Sequence, residues 1–436
     1  MDLSSHPSTF PTPTWFFQVS QSYNLSSKIR ARVVTMWNRL RSSFGFLRPP
    51  ESMHRYMPVG QVSATRSRTR LAIITTACII IALAILSIST HPLEKARQYG
   101  ILKSSEASMH APIPSIVHYV QIKKDATSTL RFPFSSFLTM CAAVMYIEPT
   151  QIYMHTDFND SEIRNASEHG DRWTKAVLNT FANITTWNRV DVPNFAGQNQ
   201  DQEISAIQHK SDFIRWEAIA KIGGIYMDWD VVPLRSLTPL LNAGFAFIGG
   251  RHYGGAREGG GINGTINNGV FLTKPNSTMA RIVVREQHAG FDGRWEANLQ
   301  SMTRIAERLV PIPNEVLILD RTAFAPTHWF KESTDPLFKP NEGNPSPVPQ
   351  LINSTDPMEL YDNAIANRRR RAQWEMDFSS TYMLHGFAMH EYYKYINPST
   401  ILSRTSNFGV ATYDIARHMV DQGYISGNER DDRAES

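Results

Sequence analysis

The chain of 436 residues has only two cysteines, Cys78 and Cys141. No disulfide framework can hold it together, and a chain of this length needs none, because size alone buries enough apolar surface. Charge is scarce too, at 19% of residues, with a formal net of +4. That small excess does not belong to the whole chain. Residues 1–70 hold ten Lys/Arg against Asp2 and Glu51, a net of +8, which leaves about −4 for everything after. A basic tail on a mildly acidic remainder removes the main support for nucleic-acid binding. Absent as well is a Gly-Lys-Ser/Thr after the glycine-rich stretch Gly249 to Gly269. A P-loop phosphate cradle is therefore discounted.

What the chain does contain is one long uncharged run, Leu71 to Ser89, LAIITTACIIIALAILSIS. It is long enough to cross a bilayer as a helix. Arg66, Arg68 and Arg70 stand directly before it, so the positive-inside rule keeps the N-terminus cytosolic and sends the C-terminal part to the lumen. The run starts too late and lasts too long for a cleaved signal peptide. The sequence thus divides into a largely disordered basic tail (1–70), a signal-anchor span (71–90), a stem (91–111), a lumenal domain (112–425) and a polar tail (426–436). Within the tail, Leu25, Ile29, Val33, Met36, Leu40 and Phe44 recur at helical spacing among basic residues, as in a helix lying on the cytosolic leaflet. Lumenal sequons at Asn159, Asn165, Asn183, Asn263, Asn276 and Asn353 fit that orientation.

The lumenal part alternates strand and helix. Strands are expected at 115–121, 151–155, 185–192, 245–248, 270–272 and 316–319, with helices near 134–147, 171–181, 278–287 and 296–309. Such alternation predicts an α/β fold with a mostly parallel, Rossmann-like sheet, whose ligands sit beyond the carboxyl ends of strands. Cys141 lies in an apolar helical run and reads as a small core residue. The Pro/Asn/Ser-rich stretch 331–357 reads as a surface loop insertion. Gly249 to Gly269 reads as a mobile loop over the site. Arg368 to Arg371 is either a solvated patch or a contact for an anionic acceptor or lipid headgroup.

The most informative stretch is His209 to Leu234, HKSDFIRWEAIAKIGGIYMDWDVVPL. A helix carries Asp212 and Arg215 on one face. Gly223-Gly224 stops it and turns the chain into a short buried strand ending in Asp228-Trp229-Asp230. On that strand Tyr226, Asp228 and Asp230 point one way. Two carboxylates so placed can share one hard divalent cation, and such a cation neutralises a diphosphate leaving group.

Ser211-Asp212-Phe213-Ile214-Arg215 followed by Gly223-Gly224-Ile225-Tyr226-Met227-Asp228-Trp229-Asp230 resembles the DXD-containing glycosyltransferase family typified by fungal initiating mannosyltransferases and inositol-phosphorylceramide mannosyltransferases. The opening Ile113-Pro114-Ser115-Ile116-Val117-His118 is similar to that family's first strand, with Gln121 where an aromatic often stands. The resemblance implies a GT-A fold and retaining transfer of a hexose from a nucleotide sugar. It favours GDP-mannose, with UDP-sugars behind it, and Mn²⁺ or Mg²⁺ as cofactor. A glycan or sphingolipid would be the acceptor, and a Golgi or ER membrane the location. It further implies that Asp228 and Asp230 serve catalysis as metal ligands and that His385 joins them. His118, Asp212, Arg215, Tyr226, Asn267 and Asn268 would line the donor. Two other classes stay open: an inactive membrane-anchored sugar-binding protein, and a metal-dependent phosphohydrolase. Intact Asp212, Arg215, Asp228 and Asp230 argue against the first, and the lack of further His/Asp ligands in ordered spacing argues against the second.

Overall fold

A computed structural model describes residues 111–197, 201–252, 264–294 and 297–429. The tail, the span at 71–90, the stem up to residue 110, Asn263 and residues 430–436 lie outside them. Among the described residues no helix is long and apolar enough to cross a membrane.

The first strand, β1 (Ile116–Val120), leads to α1 (Phe134–Ile147). This helix follows Pro133 and ends at Glu148, whose left-handed backbone (φ 51°) breaks the ladder. Apolar residues on nearly every side explain why most of α1 is buried, Cys141 included. β2 (Gln151–Thr156), α2 (Asp160–His169), α3 (Arg172–Asn179) and β3 (Thr185–Arg189) follow. Then come α4 (Ile207–Ile222), β4 (Gly224–Met227) and the short β5 (Val231–Pro233). β6 (Phe247–Arg251), β7 (Ile266–Thr273), α5 (Thr278–Gly290), α6 (Ala297–Leu309) and β8 (Val316–Leu319) complete the central layer. Beyond it lie α7 (Lys331–Phe338), α8 (Pro357–Arg369), β9 (Met383–His385) and α9 (Asn407–Asp421).

The sheet has seven strands in the order β8-β6-β7-β4-β1-β2-β3. All pairings are parallel except those of β7, which runs antiparallel to both β4 and β6. A mostly parallel sheet must be covered on both faces, and two cores do this. Ile225 and Met227 of β4 join one core with Phe137 of α1, Trp173 of α3 and Ile415 of α9. Tyr226 faces the other, with Trp216 of α4, Met279 of α5 and Met302 of α6. Side-chain alternation along one strand thus feeds both layers.

Three expectations change. β4 stops at Met227, so Asp228 to Asp230 form a turn closed by Val231 N–H on the Asp228 carbonyl (3.1 Å). β7 begins at Ile266, before the strand expected at 270–272, so Asn267 and Asn268 sit inside it and the stretch from Gly249 to Gly269 has a strand at each end. The insertion at 331–357 begins with a packed helix, because Thr334, Leu337 and Phe338 of α7 are buried in the core.

Candidate active site

The α4–β4 corner fixes the site. Gly223 (φ 72°) and Gly224 (φ 122°) take backbone conformations that other residues rarely adopt. A Cβ on Gly224 would lie 2.4 Å from the Ile116 carbonyl oxygen, and one on Gly223 would lie 2.5 Å from Pro275. No side chain fits either place. The abrupt turn delivers Asp228 and Asp230 just past the carboxyl end of β4, with Asp212 and Arg215 of α4 beside them.

Arg215 lies at the centre, 5% exposed. Its Nη2 stands 3.3 Å from Asp212 Oδ1 and 3.2 Å from Asp228 Oδ1. Nη1 donates to the Asn268 carbonyl at 2.6 Å, and Nη2 to Ser211 Oγ at 3.1 Å. The guanidinium also lies over the Tyr226 ring, 4.4 Å from its centroid. Burial works against its charge, but Asp228, Tyr226 and Asp212 outweigh that and hold it protonated. Sequence reasoning put Arg215 against sugar or phosphate; the structure turns it inward, where it braces two carboxylates.

Asp212 is held by Asn268 Nδ2 (2.7 Å to Oδ1) and Asn298 Nδ2 (3.0 Å to Oδ2). Burial raises its pKa, with Arg215 opposing. Burial likewise raises that of Asp228, again against Arg215, while Asp230 adds to the rise. Tyr226 donates its hydroxyl to Asp228 Oδ1 at 2.5 Å. It is 1% exposed, so it supports the carboxylate from below and does not line an open pocket.

His385, the last residue of β9, reaches this cluster because β9 pairs antiparallel with β5, setting His385 opposite Val231. Its Nε2 lies 3.3 Å from Asp230 Oδ1. Asp228, Asp230 and His385 each offer a ligand atom within 4.8 Å of the others. Asp228 and Asp230 keep 30% and 28% of their side chains exposed, so an ion can reach them. The two carboxylates suit Mn²⁺ or Mg²⁺, and an added imidazole nitrogen favours Mn²⁺ of the two.

The second nitrogen of His385 carries a constraint. Gly269 N–H donates to Asn267 Oδ1 at 2.8 Å, so the amide NH₂ of Asn267 faces His385 Nδ1, also at 2.8 Å. That leaves the imidazole proton on Nε2, donating toward Asp230. A cation taken through Nε2 would need that proton moved to Nδ1, where the Asn267 NH₂ now stands. The carboxylates fit a cation as they stand; His385 would join only after such a rearrangement.

His118 is not at the site. It is fully buried in β1, with Nε2 on the Gly223 carbonyl and Nδ1 on His155 Nε2, both at 2.9 Å. With both nitrogens used it cannot touch a donor. His155 and Thr156 at the end of β2 are fully buried, and Asp157 after them accepts the Lys123 N–H at 2.9 Å. Asn267 and Asn268 are present, but they spend their amides orienting His385 and Asp212. Ser211, Asn298 and Phe387 belong to the assembly and were not foreseen. Phe387 stacks on the His385 ring at 3.8 Å; an aromatic soon after His385 was its only signal.

Residues 139–245 match the model of the glycosyltransferase sugar-binding region containing DXD motif. Asp228-Trp229-Asp230 is the Asp-x-Asp of that region, and Asp212 and Arg215 lie within it. No curated protein matches the sequence. Solved structures similar to this chain include the PaToxG glycosyltransferase, at 16% identity over 51% of this chain and 81% of that one, with a TM-score of 0.29. The apo form of the glycosyltransferase GlyE of Streptococcus pneumoniae TIGR4 is 9% identical over 72% of this chain and 63% of that one, with a TM-score of 0.33. Apo mouse xyloside xylosyltransferase 1 is 10% identical over 63% of this chain and 98% of that one, with a TM-score of 0.32.

Proposed function

We propose that this chain is a cation-dependent glycosyltransferase that moves a hexose from a nucleotide-sugar donor to a glycan or glycolipid acceptor with retention. One observation carries the reading. Asp212, Asp228 and Asp230 gather around a single guanidinium, so the cluster holds two more negative than positive charges with His385 neutral. A divalent cation cancels that excess, and only then does the corner become hospitable to a diphosphate. Its place beyond the carboxyl end of a strand in a mostly parallel sheet, inside a DXD sugar-binding region, supports the same reading.

In this reading Asp228 and Asp230 hold the cation, which supplies charge compensation for the departing diphosphate. Asp212 accepts hydroxyls of the donor sugar at its exposed edge, and Arg215 keeps Asp212 and Asp228 aligned. The C1–O bond to phosphate breaks and a C1–O bond to the acceptor forms. The acceptor proton passes to the leaving nucleoside diphosphate. GDP-mannose is the favoured donor, with UDP-galactose or UDP-N-acetylglucosamine next. The span at 71–90 anchors the protein, with its catalytic part facing the Golgi or ER lumen.

The test uses full-length protein in detergent, stripped with EDTA and given each nucleotide sugar with and without Mn²⁺. Nucleotide release that needs both Mn²⁺ and one donor is expected. Asp230→Ala should cut it at least about a thousandfold, on the order of 4 kcal/mol of barrier, while the thermal midpoint moves little. Wild-type turnover in that variant would remove the cation role. Donor binding without turnover would point to an inactive sugar-binding protein, and phosphate release from simple phosphate esters to a phosphohydrolase.

A further inference from the structure

Beyond the cation cluster, the structure holds a set of aromatic rings that donor binding and charge compensation leave unused. Phe387 lies against His385 with the two rings nearly parallel (13°). Trp329 meets Phe387 edge to face, with centroids 5.8 Å apart. Trp329 is 39% exposed, while Phe387 is half-buried. The tryptophan is not held loosely. Thr327 Oγ1 donates to the His385 carbonyl at 3.1 Å, His328 N–H to Ser333 Oγ at 3.1 Å, and Phe330 N–H to His328 Nδ1 at 3.1 Å. These bonds tie the loop both to the residue beside the cation site and to the start of α7. Phe387 itself has a left-handed backbone (φ 52°), a conformation that non-glycine residues seldom take and that tends to occur at functional sites.

Trp329 leaves more than a third of its surface in water, while the loop on either side of it is pinned by those bonds. On the far side its ring abuts His252, at 5.6 Å between centroids. The buried Nδ1 of His252 has no hydrogen-bond partner among the described residues. An exposed aromatic face beside a polar cluster suits a ligand that is apolar on one face and hydroxylated at its edge, which describes a pyranose ring. The donor diphosphate belongs with the carboxylates, and Trp329 is linked to them through Phe387 and His385.

Resting on the transferase reading above, we infer that Trp329 and Phe387 form the platform on which the acceptor's sugar ring stacks, so that the acceptor is recognised as a carbohydrate at this position and not through a lipid chain. Trp329 supplies the flat face. Phe387 sets its tilt and couples it to His385, so the acceptor ring lies beside the cation-bound end of the donor.

The probes are methyl α-D-mannopyranoside and methyl β-D-galactopyranoside, observed by saturation-transfer NMR on the full-length protein in detergent with Mn²⁺ and GDP. Wild type should transfer saturation to the ring C–H protons of at least one glycoside. Trp329→Ala should weaken that binding about tenfold or more, and Trp329→Phe should stay within about threefold of wild type. Equal binding by wild type and Trp329→Ala overturns the assignment, as does no glycoside binding by wild type. A loss in Trp329→Ala matched by an equal loss of GDP affinity also overturns it, because the whole site would then have collapsed. Nucleotide-sugar hydrolysis without acceptor reports separately on the transferase reading, so failure there is distinguishable from failure here.

Discussion

Two polar clusters lie in the same fold and obey opposite rules. Beneath the sheet's centre, His118 and His155 stack at 5.2 Å, and a single line of hydrogen bonds runs through them. Its direction can be worked out. The Gly223 carbonyl can only accept, so His118 donates through Nε2 and accepts at Nδ1 from His155 Nε2–H; His155 Nδ1 then accepts from Asn188 Nδ2 at 2.8 Å. Every ring nitrogen has one partner and no charge is present. At the end of β4 the balance is different: carboxylates outnumber the guanidinium, and Asp228 and Asp230 remain open to solvent. A fully matched neutral network is architecture. An unmatched, reachable excess of one charge can take a ligand of the other.

The largest effect should come from removing the one cation the second cluster possesses. Arg215→Ala leaves Asp212 and Asp228 facing each other without their counter-charge, and breaking a buried pair in this way costs about 3–5 kcal/mol. Urea unfolding should show that loss. Added Mn²⁺ should restore more stability to this variant than it gives wild type, because the uncompensated charge has grown. If Mn²⁺ stabilises both proteins equally, the charge-excess argument fails.

How much of this was legible beforehand follows the range of the contacts. Gly223-Gly224 and the Asp-x-Asp are local, so the corner is legible in the sequence, although the carboxylates fall in the turn past the strand and not on it. The helix Phe134–Ile147 was readable because apolar residues dominate the stretch between Pro133 and Glu148. His118 misled because being apolar-flanked on a first strand looks the same whether the ring meets a ligand or another histidine. Which one it meets depends on β2, thirty-seven positions later. Asn-Gly at 268–269 is a strong turn dipeptide, which hides the start of β7 in the sequence. Pairing of β7 with β4 and β6 overrode that propensity. Asn298 gave no signal at all: its role exists only because α6 lies near α4's amino end, eighty-six residues from Asp212. Strand direction and helix stops are written locally, whereas the partners of a buried polar group are written in the tertiary fold.

A smaller perturbation sharpens the contrast at the point where the two kinds of cluster meet. Asn267 is satisfied like the histidine line, yet it touches His385 of the charged cluster. Asn267→Asp keeps an oxygen for Gly269 N–H and puts a second oxygen where the NH₂ was. His385 can then carry its proton on Nδ1 and present a bare Nε2 to the cation, the arrangement that oriented metal-ligating histidines adopt. Mn²⁺ affinity measured by isothermal titration should rise about tenfold. A fall in affinity would mean that His385 does not ligate through Nε2.

The smallest effect tests the neutral cluster. Burial pushes His118 down to about 4 and His155 to about 3, the latter helped by His118. Both folded values lie below the unfolded value near 6.5, so the unfolded chain binds protons that the folded chain refuses. The stability this confers is complete above pH 6.5 and declines as pH falls toward 4 and then 3. Between pH 7.5 and 6.0 the pair should cost about 1–2 kcal/mol. Other histidines titrate in the same window, so the decisive readout is ¹⁵N NMR of the rings. His118 and His155 should both stay neutral with the proton on Nε2 down to about pH 5, while solvent-exposed histidines move. Titration of either ring near 6.5 would mean that the line is open to water, and that the difference between a sealed network and a waiting site had been drawn in the wrong place.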